Sequence, residues 1–69
     1  MLYEVRLFMD VVDEVHFVKV DKNGLNELIT GLEDPVAPRF IDVYCYDTGE
    51  IFGVNRDKVS AYMYKEVKE

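Results

Sequence analysis

Residues 21 to 32, DKNGLNELITGL, place Leu25, Leu28, Ile29 and Leu32 at spacings i, i+3, i+4 and i+7. That recurrence gathers four apolar side chains on one stripe of a helix with 3.6 residues per turn. Asp21 or Asn23 can cap its start, because a short oxygen-bearing side chain accepts from the free N–H groups of the first turn. Gly31 lies near its end, and Pro35 prevents continuation. A helix with one apolar stripe must bury that stripe on another layer, so the flanking segments decide the fold class.

Those flanks change period. Tyr3, Val5, Leu7 and Met9 alternate with Glu4, Arg6, Phe8 and Asp10, the period of two that a half-buried strand requires. Residues 14 to 20, EVHFVKV, are rich in β-branched and aromatic types. Val15 and Phe17 point one way there and Val18 and Val20 the other, which a bulge or burial on both faces would accommodate. The link between these two strands, Asp10-Val11-Val12-Asp13, has no Gly or Asn and sets two valines at or near a hairpin tip.

After the helix, EDPVAPR carries two prolines and an acid pair and reads as a loop. FIDVYCYD then puts Ile41, Val43 and Cys45 on one strand face and Phe40, Asp42, Tyr44 and Tyr46 on the other. Asp47-Thr48-Gly49-Glu50 reads as a turn into EIFGVN: Asp opens it by bonding its own backbone, and Gly takes the position needing positive φ. The last segment, DKVSAYMYKEVKE, fits either a helix (Val59, Tyr62, Met63, Val67) or a strand (Val59, Ala61, Met63, Val67). Its tyrosines and its length favour the strand. The expectation is an α+β single domain over 1–69, with one α-helix packed on an antiparallel sheet of four to five strands in the order β-β-α-β-β-β.

Composition narrows function more than it names it. Sixty-nine residues, 49% of them apolar, make a small domain whose core is marginal and for which self-association is one remedy, so a homo-oligomer is expected. The net charge is −6, and the eight basic residues are scattered; only Arg56/Lys58 and Lys65/Lys68 come close together, interleaved with acids. A nucleic-acid groove needs clustered cations, so direct binding of DNA or RNA is not expected. One cysteine implies no disulfide and no oxidising compartment. The N-terminus MLYEVRLFMD has neither the apolar run of a signal peptide nor that of a membrane span, and the cytoplasm is the expected location.

Candidate chemistry is sparse. Asp47-Thr48-Gly49 matches the triplet that bears the catalytic carboxylate in aspartic proteases, but Glu50 follows where that family has a small neutral residue. The chain is also too short to supply substrate-binding strands and flaps. Cys45 would need His16, the only histidine, as its base. It continues the apolar face of Ile41 and Val43, where a free cysteine packs as a small hydrophobe. One Cys and one His cannot make a structural zinc site, the acid pairs lack calcium-loop spacing, and the four glycines are isolated. No enzyme activity, metal or cofactor is expected.

What remains are surfaces. Asp42, Tyr44 and Tyr46 share a strand face with Phe40, a set of rings with polar handles beside a carboxylate that suits a protein interface. The competing arrangement lays this face under the helix and turns Ile41, Val43 and Cys45 to an oligomer partner, or buries both. Asp10, Asp13, Glu14, Asp47 and Glu50 are expected to gather at hairpin ends, and Val11 and Val12 offer an apolar contact there. The function expected is therefore a non-catalytic protein that binds another protein through Asp42, Tyr44, Tyr46, Asp47, Glu50, Val11, Val12, Asp13 and Glu14. It would act as an inhibitor or nucleic-acid mimic of the kind found in phages and mobile elements. The alternatives are an oligomeric barrel-like or sheet module that binds RNA or a small ligand, with Arg56, Lys58 and the tyrosines as contacts, and a purely structural, self-associating subunit.

Overall fold

The structure is a computed structural model and describes residues 1–11 and 13–67. Five strands and one helix follow one another as β1 (Leu2–Met9), β2 (Val15–Asp21), α1 (Lys22–Glu33), β3 (Phe40–Cys45), β4 (Glu50–Asn55) and β5 (Val59–Val67), with a 3-10 turn at Arg56–Lys58. The last segment is thus a strand.

The strands form two antiparallel sheets, β2-β1-β5 and β3-β4, which corrects the expectation of a single sheet. The reason is coverage. A helix about 10–12 Å across shields only two or three strands spaced ~4.8 Å apart. Five strands in one plane would leave apolar positions bare on the helix side. As two sheets they cover each other, and the core draws on every layer: Val5, Leu7, Val18 and Val20 from the first sheet, Leu25 and Leu28 from α1, and Ile41, Val43, Cys45 and Val54 from the second. One main-chain bond links the sheet edges, from the Tyr46 N–H to the Lys19 carbonyl at 2.8 Å.

The alternation of β1 runs as its sequence implies, with Val5 and Leu7 buried. In β2, Val18 and Val20 face the core while Phe17 is exposed, and the β1–β2 register is continuous from Leu2↔Asp21 to Phe8↔Val15. Neither a bulge nor two-sided burial is needed. The bulge falls instead between β1 and β5, where the register shifts at Phe8/Met9. The Ser60 hydroxyl donates to the Phe8 carbonyl there at 3.0 Å.

Asp21 caps α1: its Oδ1 accepts from the Gly24 N–H at 2.8 Å. Gly31 lies near the end of the helix, which runs to Glu33 with Asp34 as its C-terminal cap. Gly31 serves packing. A Cβ placed on it would lie 2.6 Å from Ile41 Cδ1, so only glycine lets α1 approach β3 this closely. No helix of the described residues is long and apolar enough to cross a membrane.

Candidate interaction surface

Ile41, Val43 and Cys45 are the buried residues of β3, and Phe40, Asp42 and Tyr44 are exposed, with Tyr46 exposed just beyond the strand. The apolar half of the strand faces the core, so the tyrosine face is the free one and the competing arrangement does not occur. Register sets Tyr44 directly across from Ile51 of β4. Tyr44 is 49% exposed, Ile51 71% and Phe40 59%. The Tyr44 and Tyr46 rings meet edge to face with centroids 5.0 Å apart. Large apolar side chains that are adjacent, exposed and rimmed by polar groups mark contact surfaces in soluble proteins.

Tyr44 and Tyr46 differ in role. The Tyr46 hydroxyl donates to Asp21 Oδ2 at 2.9 Å, and its N–H bonds Lys19. It therefore latches the second hairpin to the end of β2 and the start of α1. The bond to the Asp21 carboxylate raises the Tyr46 pKa, since ionisation would oppose two negative oxygens. The same carboxylate is held below its ordinary value, first by the Gly24 N–H and then by the Tyr46 hydroxyl.

The turn after β3 has Gly49 at φ +75 and a main-chain bond from the Gly49 N–H to the Cys45 carbonyl at 2.8 Å. The Thr48 hydroxyl, where Asp47 had been expected, bonds the turn backbone by accepting from the Glu50 N–H at 3.3 Å. Asp47 and Glu50 instead stand at the rim of a cleft of about 240 Å³ between β2 and this turn, which His16, Phe17, Cys45 and Phe52 also line. The His16 ring tilts against Phe52 with centroids 5.6 Å apart, and its Nε2 lies 2.9 Å from Glu14 Oε1. His16 and Cys45 thus share a cleft, but the imidazole is engaged by Glu14. Burial, followed by the charges of Asp47 and Glu50, pushes the Cys45 thiol up from 9.0. A thiol held protonated at neutral pH is a poor nucleophile.

Eight of the nine residues singled out by sequence separate into three places. Asp42, Tyr44 and Tyr46 share the outer side of the β3–β4 hairpin. Asp47 and Glu50 rim the cleft, with Glu14 beside them through His16. Val11, exposed, and Asp13, at φ 65, occupy the β1–β2 link. Val12 lies outside the described residues. Ile51 reads alone as core-forming, yet it stands exposed on the outer face of the hairpin. Its signal was the hairpin register, because a residue opposite Tyr44 must share the outward face of Tyr44. Among the described residues no cluster of three or more His, Cys, Asp or Glu side chains is arranged to hold a metal ion. Compared with known protein families, with curated proteins and with solved structures, the chain matches none.

Proposed function

We propose that this chain is a non-catalytic binding protein whose partner is another protein, docked on the outer face of the β3–β4 hairpin. The observation that carries the reading is the exposed cross-strand pair Tyr44–Ile51, with Phe40 on the same face. Aromatic anchors of this type dominate protein interfaces because they bury large area with few rotatable bonds. The net charge of −6, with Asp42, Asp47 and Glu50 on or beside this hairpin, favours a partner with a basic surface. An inhibitor that occupies a groove built for nucleic acid is the role that such a surface fits. The RNA-binding alternative has weaker support: the Arg56 guanidinium donates to the Ala37 carbonyl at 3.0 Å, and Arg39 pairs with Asp57 at 3.2 Å.

Capture from a lysate of the source cell, at low and at moderate salt, compares the wild type with a Tyr44→Ala/Phe40→Ser double variant. Both positions are exposed, so the variant keeps its fold, which circular dichroism checks. A specific protein retained by the wild type and lost from the variant is the expected result. Equal recovery by the two, or no specific protein with either, overturns the reading.

Self-association is favoured by a separate observation. β5 is the outer strand of its sheet, runs for nine residues, and carries exposed Met63 and Tyr64. A free strand edge offers an unpaired row of N–H and C=O groups to another copy. Sedimentation that reports a monomer at high concentration removes this part of the reading.

A further inference from the structure

The cleft between β2 and the β3–β4 turn joins apolar walls to an anionic rim. Phe17 and Phe52 are ring-bearing walls, Cys45 forms part of the buried lining, and Asp47 and Glu50 stand at the mouth. From β2 the only titratable group that faces it is His16, and that ring is bonded to the Glu14 carboxylate at 2.9 Å. Among the described residues no lysine or arginine lines it. Two carboxylates, Asp47 and Glu50, therefore line one opening, and their charges add to burial, the larger cause, in pushing the Cys45 thiol up. The volume, about 240 Å³, lies below the roughly 300–1,000 Å³ of pockets that enclose small-molecule ligands. It suits a single side chain.

We propose that this cleft receives a cationic side chain of the protein partner, an arginine in first place, with its flat guanidinium against Phe52 and its N–H groups on Asp47 and Glu50. The proposal rests on the protein-binding reading above and assigns the partner's anchor chemistry. A guanidinium meets both halves of the site, because its faces stack on aromatic rings while its edges donate to carboxylates. A lysine satisfies the charge but forgoes the stacked plane and the paired hydrogen bonds.

The test needs no partner. Amide resonances of the full chain are followed by nuclear magnetic resonance during titration with blocked tripeptides Gly-Arg-Gly, Gly-Lys-Gly and Gly-citrulline-Gly. Citrulline keeps the shape of arginine and removes its charge. Saturable shifts at residues 16, 47 and 50–52 with the arginine peptide are expected. Citrulline should weaken them at least about tenfold, the order of loss that follows when a charge-assisted pair becomes neutral. Asp47→Asn/Glu50→Gln, both at exposed sites, should abolish the preference for arginine over citrulline. Saturation by the lysine peptide as well also supports a cation site. Absence of saturable shifts with both cationic peptides overturns the proposal, as does equal binding of citrulline or an unchanged preference in the double variant. A null here, with capture still lost in Tyr44→Ala/Phe40→Ser, removes the cleft assignment and leaves the docking face standing.

Discussion

Gly31→Ala sets two opposed effects against each other at the contact between α1 and β3. Alanine in a helix interior is favoured over glycine by roughly 0.8–1 kcal/mol, so an unpacked helix would gain that much from the substitution. Here the new Cβ would sit 2.6 Å from Ile41 Cδ1 and 2.7 Å from Ile41 Cγ1. Ile41 is buried in the core, and inserting a methyl group into a filled core typically costs about 1–3 kcal/mol. A groove lined by Gly31, Ile41 and Phe40 runs beside this contact, so part of the overlap can relax into it and the cost stays within that range. The expected net effect is a loss of about 0–2 kcal/mol, centred near 1 kcal/mol. That corresponds to a fall in melting temperature of about 4–8 °C for a domain of this size. Urea unfolding of the wild type, Gly31→Ala, Ile41→Val and the double variant forms a cycle. Ile41→Val alone should cost about 0.5–1.5 kcal/mol. Because it removes the nearest clashing atom, the double variant should be more stable than the sum of the singles by at least about 0.5 kcal/mol. A Gly31→Ala protein stabilised by the full helix-propensity gain, or a cycle that is simply additive, would refute the close approach of α1 to β3.

Three further outcomes follow from the same geometry. Gly49→Ala should destabilise by about 1–2 kcal/mol, the cost of a left-handed conformation for a residue with a Cβ, and Gly49→Asn by less. The nearest atom to the added Cβ is Tyr44 Oη at 3.8 Å, so strain and not collision is measured; an unchanged urea midpoint for Gly49→Ala would contradict the turn. Cys45 should react with iodoacetamide far more slowly in the native protein than in urea, because the thiol is buried and held protonated. Native labelling at the rate of a free thiol would disprove that environment. Asp21 has a folded pKa below the ordinary 3.8, so its stabilising contribution is complete above 3.8 and is lost as pH falls from there through the folded value. The urea midpoint should drop on acidification below about pH 4, and less steeply in Asp21→Asn, which can still cap the helix but does not titrate. Identical acid limbs would show that this carboxylate does not couple to folding.

Much of the local structure was legible in the chain. The stripe Leu25-Leu28-Ile29-Leu32 and the Asp21 cap specify α1 because both act over a few residues. The alternation in β1 and β3 fixed which half of each strand is buried, and the need for positive φ after Thr48 fixed Gly49 as a turn residue. What Asp47-Thr48-Gly49 suggested by its match to a catalytic triplet is, in the folded chain, the turn that sets Tyr44 against Ile51. Other features depend on partners far away in sequence. Nothing local to β5 tells it to pair with β1 some sixty positions earlier, or tells Ser60 to take up the bulge there. The division into two sheets follows from how much apolar surface one short helix can shield, a quantity no window of residues contains. Gly31 reads only as a residue near the helix end until Ile41 is seen beneath it. His16, Asp47 and Glu50 surround one cleft only because β2 and the β3–β4 turn converge in space. The sequence by itself determined the elements and their inward faces, since period and propensity are properties of neighbours along the chain. Tertiary structure decided which outward faces adjoin, because exposure and convergence are properties of the packed layers.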